Sequence, residues 1–294
     1  MLLKILKAII SWLVKHPKTT LLSAGAIAAG PTVAGGVNAH KAKKLNKKAR
    51  AIQQAALEKH EKEYAALQKT LERLGQTEKT AIDSFRLFAE AIEKIQEKPK
   101  IRSPLLTNVK IPSYEPEEFL RLSTGLQTAL EVTVGGGALV GLAAFGASIV
   151  AAPTMIAASV VLCVKGSKLK KKAIKNKEQA EKMSKSVDEI VAFYSRFRAA
   201  ADSYRESVAK VYSKYMECLN RMQITLTQKT AWKKFSREEK KNVENTVLLA
   251  RLLFQMCKTK MIIQHQDEEK IETINSSELS ALQKDAKHLL AKCA

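Results

Sequence analysis

Apolar positions recur at alternating steps of three and four along two long, otherwise charged stretches of the chain. In the second stretch, Leu169, Ala173, Asn176, Ala180, Met183, Val187, Ile190, Tyr194, Phe197, Ala201, Tyr204, Val208, Val211, Tyr215, Cys218 and Met222 keep this spacing, and Asn176 is its one clearly polar member. The first stretch is looser, with Tyr64, Leu67, Leu71, Leu74, Ala81, Phe85, Phe88, Ile92 and Ile95. A sustained 3.5-residue period predicts long helices sharing a supercoiled seam. No proline interrupts 32–98 or 154–294, and Gly75 stands where the second stretch has Ala199, so it is read as tolerated inside a helix. The fold class expected is all-α: long heptad-patterned helices in a coiled-coil bundle, each of about 55 residues and about 80 Å.

Two runs break this pattern because they carry no charge at all: residues 19–39 and residues 132–164, the latter 33 residues long. A single helix of that length would extend roughly 50 Å, beyond the roughly 30 Å hydrocarbon core of a bilayer. A turn at 146–153, with Gly146 and Pro153, makes the run a helical hairpin, re-entrant in a membrane or hidden within the protein; without the turn it is one tilted helix. Gly137 and Gly141 form a GxxxG pair that allows close helix approach, and Val140 and Phe145 lie in the apolar run beside them. The candidate membrane-inserting residues are therefore Gly137, Val140, Gly141, Phe145, Gly146 and Pro153.

The first 18 residues show a narrow polar stripe (Lys4, Lys7, Ser11, Lys15, Lys18) on a broad apolar helix carrying Trp12. That is the pattern of a helix lying in a membrane interface, seated by Lys4, Lys7, Trp12 and Lys15. A signal peptide is the competing reading, but Lys15, His16, Pro17 and Lys18 follow the apolar core where a small-residue cleavage site belongs.

An internal repeat organises the rest. The pattern K-x-x-K-L-x-K-K-A occurs at 41–49 and again at 165–173, each time after a Gly/Ala-rich apolar segment and before a long helix. Pro99, Pro104 and Pro112 mark a linker between the copies, and Glu115-Pro116 opens a lead-in helix. Ser236-Arg-Glu-Glu239 is a capping box that starts a helix ending near Ile263, and a last helix covers 277–292. The divisions expected are 1–39 (basic helix and apolar segment), 40–97 (first long helix), 98–131 (linker and lead-in), 132–164 (apolar hairpin), 165–228 (second long helix) and 229–294 (C-terminal helices).

Charge sharpens this picture. The chain carries +21 overall, and residues 1–50 together with 165–185 account for +17 of it. Lys41, Lys43, Lys44, Lys47 and Lys48 in one copy, and Lys168, Lys170, Lys171 and Lys172 in the other, are the candidate head-group contacts. Lysine outnumbers arginine 39 to 11, and base-edge reading favours the bidentate arginine fork, so a nucleic-acid partner is not expected from this composition. Chemistry is sparse: Cys163, Cys218, Cys257 and Cys293 show no C-x-x-C spacing, the five histidines are scattered, and no Walker A, G-x-S-x-G or H-E-x-x-H motif occurs. No catalytic residue, metal site, cofactor or small-molecule substrate is inferred, and an enzyme is not expected.

Gly35-Gly36, the 41–49 block, Leu74-Gly75 and Ser84-Phe85-Arg86-Leu87-Phe88 resemble a loose set of uncharacterised bacterial Gly/Ala-rich coiled-coil membrane proteins. The general plan, long amphipathic helices sheltering an apolar hairpin, is similar to that of α-helical pore-forming proteins. The first resemblance supplies no activity and the second is one of architecture; taken with the apolar run, the interface helix and the lysine blocks, the expected protein is a membrane-inserting, oligomeric pore-forming or membrane-disrupting one with an anionic lipid membrane as partner. Its expected location is a bacterial inner membrane with most of the chain on the cytoplasmic side. A membrane-anchored coiled-coil scaffold that permeabilises nothing is the alternative, and a basic helical nucleic-acid-binding protein the third reading.

Overall fold

The computed structural model describes residues 33–97, 117–121, 169–263 and 273–293, with side-chain surroundings from residue 41 in the first helix and residue 173 in the second. The described residues are predominantly helical, in keeping with the all-α class expected. Helix α1 (Val33–Glu93) and helix α2 (Leu169–Gln228) are the long elements, 61 and 60 residues. Both are continuous because their interiors lack proline, and α1 passes through Gly75 without a break. A short 3-10 turn (Trp232–Lys234) leads to α3 (Arg237–Lys258), a two-residue ladder of β1 (Ile262–Ile263) against β2 (Thr273–Ile274), and α4 (Ser276–Lys292). The expected capping box is present: the Ser236 hydroxyl accepts from the Glu239 amide while the Glu239 carboxylate accepts from the Ser236 amide. α3 stops at Lys258 rather than near Ile263, because the chain turns there into β1, a ladder too short to show in an apolar pattern.

The chain forms two compact units. Within the described residues, unit 1 contains α1 up to Gln68 and α2 up to Arg198; unit 2 contains α1 from Lys69, residues 117–121, α2 from Ala199, α3, the ladder and α4.

In unit 1 the two helices run parallel. Asn46 faces Asn176, Lys59 faces Asp188, His60 faces Tyr194 and Glu63 faces Arg198, pairs that advance together along both helices. Ala42, Ala49 and Ala56 on α1, with Ala173, Ala180 and Val187 on α2, are buried at steps of seven. The sequence repeat relates positions 124 apart, whereas residues that face each other here are 129 to 135 apart. Equivalent positions of the copies are thus staggered by about one heptad.

Unit 2 has a large aromatic core. Phe119, from 117–121, sets its ring edge-on to Phe85 at 5.2 Å and to Phe88 at 5.1 Å, and tilted against Phe254 at 4.7 Å, joining α1 to α3. Tyr215 of α2 lies 6.3 Å from Phe85 and donates to the Ser84 carbonyl. Beyond α1, the Gln96 amide donates to the Thr230 carbonyl and the Trp232 amide to the Gln96 carbonyl, with Glu97 in the left-handed region at φ 55°. α4 packs Leu279, Leu282, Ala286 and Leu289 inward, and Gln283 donates to Ser203 of α2.

One major expectation is corrected. Among the described residues, no helix is long and apolar enough to cross a membrane. Even α3, whose inner face is dense with Val, Leu, Phe and Met, carries Lys240, Lys241, Glu244 and Arg251 along its length. Its apolar residues are buried in a protein core. The reading as a membrane-inserting, pore-forming protein, and the inner-membrane location that went with it, are withdrawn. The residues chosen for insertion (Gly137, Val140, Gly141, Phe145, Gly146, Pro153) and for the interface helix (Lys4, Lys7, Trp12, Lys15) lie outside the described residues, as does the proposed hairpin.

Candidate functional site

The lysine-rich end of unit 1 is built by three features of sequence. Alanine at every seventh position presents almost no side-chain bulk, so two helix backbones approach closely there. Ala42 and Ala49 are 2% and 4% exposed, and Ala173 and Ala180 are fully covered. The Asn176 amide donates to the Asn46 side-chain oxygen at 3.1 Å, pairing the two asparagines across the seam. Lysine fills what remains: Lys41, Lys43, Lys44, Lys47, Lys48 and Arg50 are all exposed, with no acid between residues 41 and 50. Successive residues of a helix turn by about 100°, which places Lys44 and Lys47 opposite the Ala42–Ala49 seam, Lys41 and Lys48 on one flank, and Lys43 and Arg50 on the other.

Over 173–190 of α2 the exposed cations are Lys175, Lys182 and Lys185, while Lys177 pairs with Glu181 at 2.8 Å. Lys170, Lys171 and Lys172 belong to the first turn of α2, and Lys168 lies just outside the described residues. Because the helices are parallel, both lysine blocks stand at the same end of unit 1. Parallel direction thus joins what the sequence separates by more than a hundred residues.

Farther along the same seam the packing becomes aromatic. His60 is 3% exposed, its ring 6.1 Å from Tyr64 and 5.7 Å from Tyr194, with Nε2 3.3 Å from the Tyr194 hydroxyl and Nδ1 without a hydrogen-bond partner. Burial lowers its pKa against a smaller opposing pull from Glu61, and burial pushes the Tyr194 phenol up to about 12. Lys59–Asp188 (2.6 Å) and Arg198–Glu63 (3.2 Å) flank this cluster from the rim.

Unit 2 holds a second polar cluster. Burial pushes the Glu78 carboxyl up to about 8, and Glu78 in turn raises both the Tyr204 phenol and the Cys257 thiol, each already raised by burial. Tyr204 donates to the Met256 carbonyl at 2.9 Å. Glu278 accepts from Asn275 at 2.6 Å and from Thr259 at 3.3 Å. No group of side chains suited to a metal ion occurs among the described residues. Cys218, Cys257 and Cys293 are buried free thiols, and burial raises each of them away from thiolate reactivity.

Of the sequence-chosen sites, the five lysines of 41–48 are exposed as a head-group or phosphate contact requires. His60, Glu78 and Asn46 were missed. Asn46 had a signal: it sits four residues after Ala42 and three before Ala49, within the same alternation of threes and fours that holds Asn176 between Ala173 and Ala180. Comparison with protein-family models, curated proteins and solved structures finds no match to this chain.

Proposed function

We propose that this is a non-catalytic binding protein in which an intramolecular parallel coiled coil sets two lysine blocks side by side as one docking end for a phosphate-rich polyanion. The observation that carries the reading is the parallel pairing of α1 and α2 beside the exposed 41–50 block. Two further features support it. A polar asparagine in a heptad seam fixes register and orientation at some cost in stability, and the half-buried Asn46–Asn176 pair fits that role. The charge is nearly all lysine, which meets phosphates as a point charge and imposes no planar geometry on the ligand.

Titration with sodium polyphosphate tests this. At low salt the protein should bind it, and affinity should fall steeply as salt screens the contacts over a Debye length of about 8–10 Å near physiological strength. Absence of binding at low ionic strength removes the reading.

A further inference from the structure

We infer that the lysine-rich end of unit 1 binds the phosphate backbone of double-stranded DNA without reading its sequence. The inference rests on the polyanion reading above and narrows it to one polymer. Lysine preponderance argues against base reading, and that is all it argues against; backbone binding needs no arginine fork.

Four features favour the duplex. First, the alanine seam and the Asn46–Asn176 bond hold the helices together, so they do not open like the forked basic helices that straddle a duplex. Two helices about 10–12 Å across and packed side by side are wider than the roughly 12 Å major groove. The pair must therefore lie over the groove rims, where the phosphates are. Second, no aromatic residue occurs in 41–59 or 173–192. Single strands are held largely by stacking on aromatic rings, and this surface has none to offer. Third, the groups able to read bases are few or engaged: Asn46 and Asn176 bond each other, and Arg50 is the one arginine of the 41–50 block. Fourth, the apolar face of α1 at this end is occupied by α2. A helix that seats in a lipid interface needs a broad apolar face free. A duplex supplies one negative charge per roughly 1.7 Å of axis, a dense match for cations spread over both flanks of α1.

The test is fluorescence anisotropy of the full chain with labelled DNA duplexes of unrelated sequence, read across a salt series. Parallel arms use sodium polyphosphate and vesicles of phosphatidylserine and phosphatidylcholine. Affinities should agree within about threefold among sequences, with a log–log salt slope of about −4 to −5 for roughly five neutralised phosphates. The variant Lys44→Gln/Lys47→Gln/Lys48→Gln, which keeps helix propensity, should weaken duplex binding at least tenfold (on the order of three phosphate contacts) and flatten the slope by about 2–3. Lys284→Gln/Lys287→Gln, at exposed positions of α4, should change neither. Circular dichroism confirms that both variants keep their helix content. Polyphosphate binding without duplex binding overturns the duplex assignment and leaves the polyanion reading standing. Vesicle binding without duplex binding overturns it in favour of a lipid surface. Duplex binding that the triple variant leaves intact overturns the location. No binding in any arm overturns both readings.

Discussion

His60 is buried and Glu78 half-buried, one in each unit, and desolvation favours the neutral form of each in the folded state. Their effects on stability have opposite sign. The Glu78 carboxyl titrates at 4.5 when unfolded and at about 8 when folded. Between these values the folded state keeps a proton that the unfolded chain has released, so stability is fully present below 4.5 and falls as pH rises to about 8. Melting of wild type at pH 5 and pH 8 should show that fall, and Glu78→Gln should flatten it, raising the pH 8 midpoint by roughly 2–4 °C per kcal/mol of relief. His60 behaves in the reverse sense. Its unfolded value of 6.5 is lowered by burial, so its contribution is present above 6.5 and is lost as pH drops through the lowered value. Hydrogen exchange in peptides covering 50–65 and 185–198 should quicken in mild acid, and His60→Leu should abolish that acceleration. Exchange that is flat with pH in wild type removes the imidazole from the account. Neither residue could be picked from sequence as a titrating group, since heptad spacing marks a position as facing inward without saying what it meets there.

At the scale of elements, the heptad pattern located the buried stripe well: Ala173, Ala180, Val187, Tyr194, Phe197, Ala201, Tyr204, Val208, Val211, Tyr215, Cys218 and Met222 are all buried. An apolar period has no direction, so it left open whether the helices run parallel. Nor does the K-x-x-K-L-x-K-K-A match say how the copies pair: it marks likeness between segments, while pairing is set by what fits in the seam. Paired cysteines make the stagger measurable. In a background without native cysteines, Ala49→Cys with Ala180→Cys, at the observed offset, should form a disulfide under mild oxidation. Ala49→Cys with Ala173→Cys, at the repeat offset, should not; the opposite outcome would place the copies in register. The capping box, by contrast, was legible in four residues because its chemistry is local. Ser236→Ala should cost about 0.5–2 kcal/mol in urea unfolding. Phe119, far from its partners in sequence, carried no such mark, and its burial among Phe85, Phe88 and Phe254 depends on the tertiary fold.

At the scale of the molecule, the charge-free runs dominated the first reading because composition is visible before packing is. Their lack of charge is a fact of sequence, but it does not say what covers them, and the described helices bury their apolar faces in protein. The two units differ in what they bury. Near its lysine-rich end unit 1 is closed by alanines, whereas unit 2 is closed by Phe85, Phe88, Phe119, Tyr204, Tyr215 and Phe254 and by the leucines of α3 and α4. Small side chains remove less apolar area from water, so unit 1 should open at lower free energy. Native-state exchange should find amides of 41–60 less protected than those of 243–257, and equal protection would refute the difference. The stagger of the copies also bears on how the register is chosen. Asn46 corresponds in the repeat to Lys170, and Asn176 to Ile52. The two asparagines thus occupy non-equivalent positions of the repeat, and the bond that aligns the helices does not follow the repeat's own symmetry. Two identical copies of either present segment, paired at this stagger, would not set asparagine against asparagine, so the choice of register belongs to the differences between the copies rather than to their likeness.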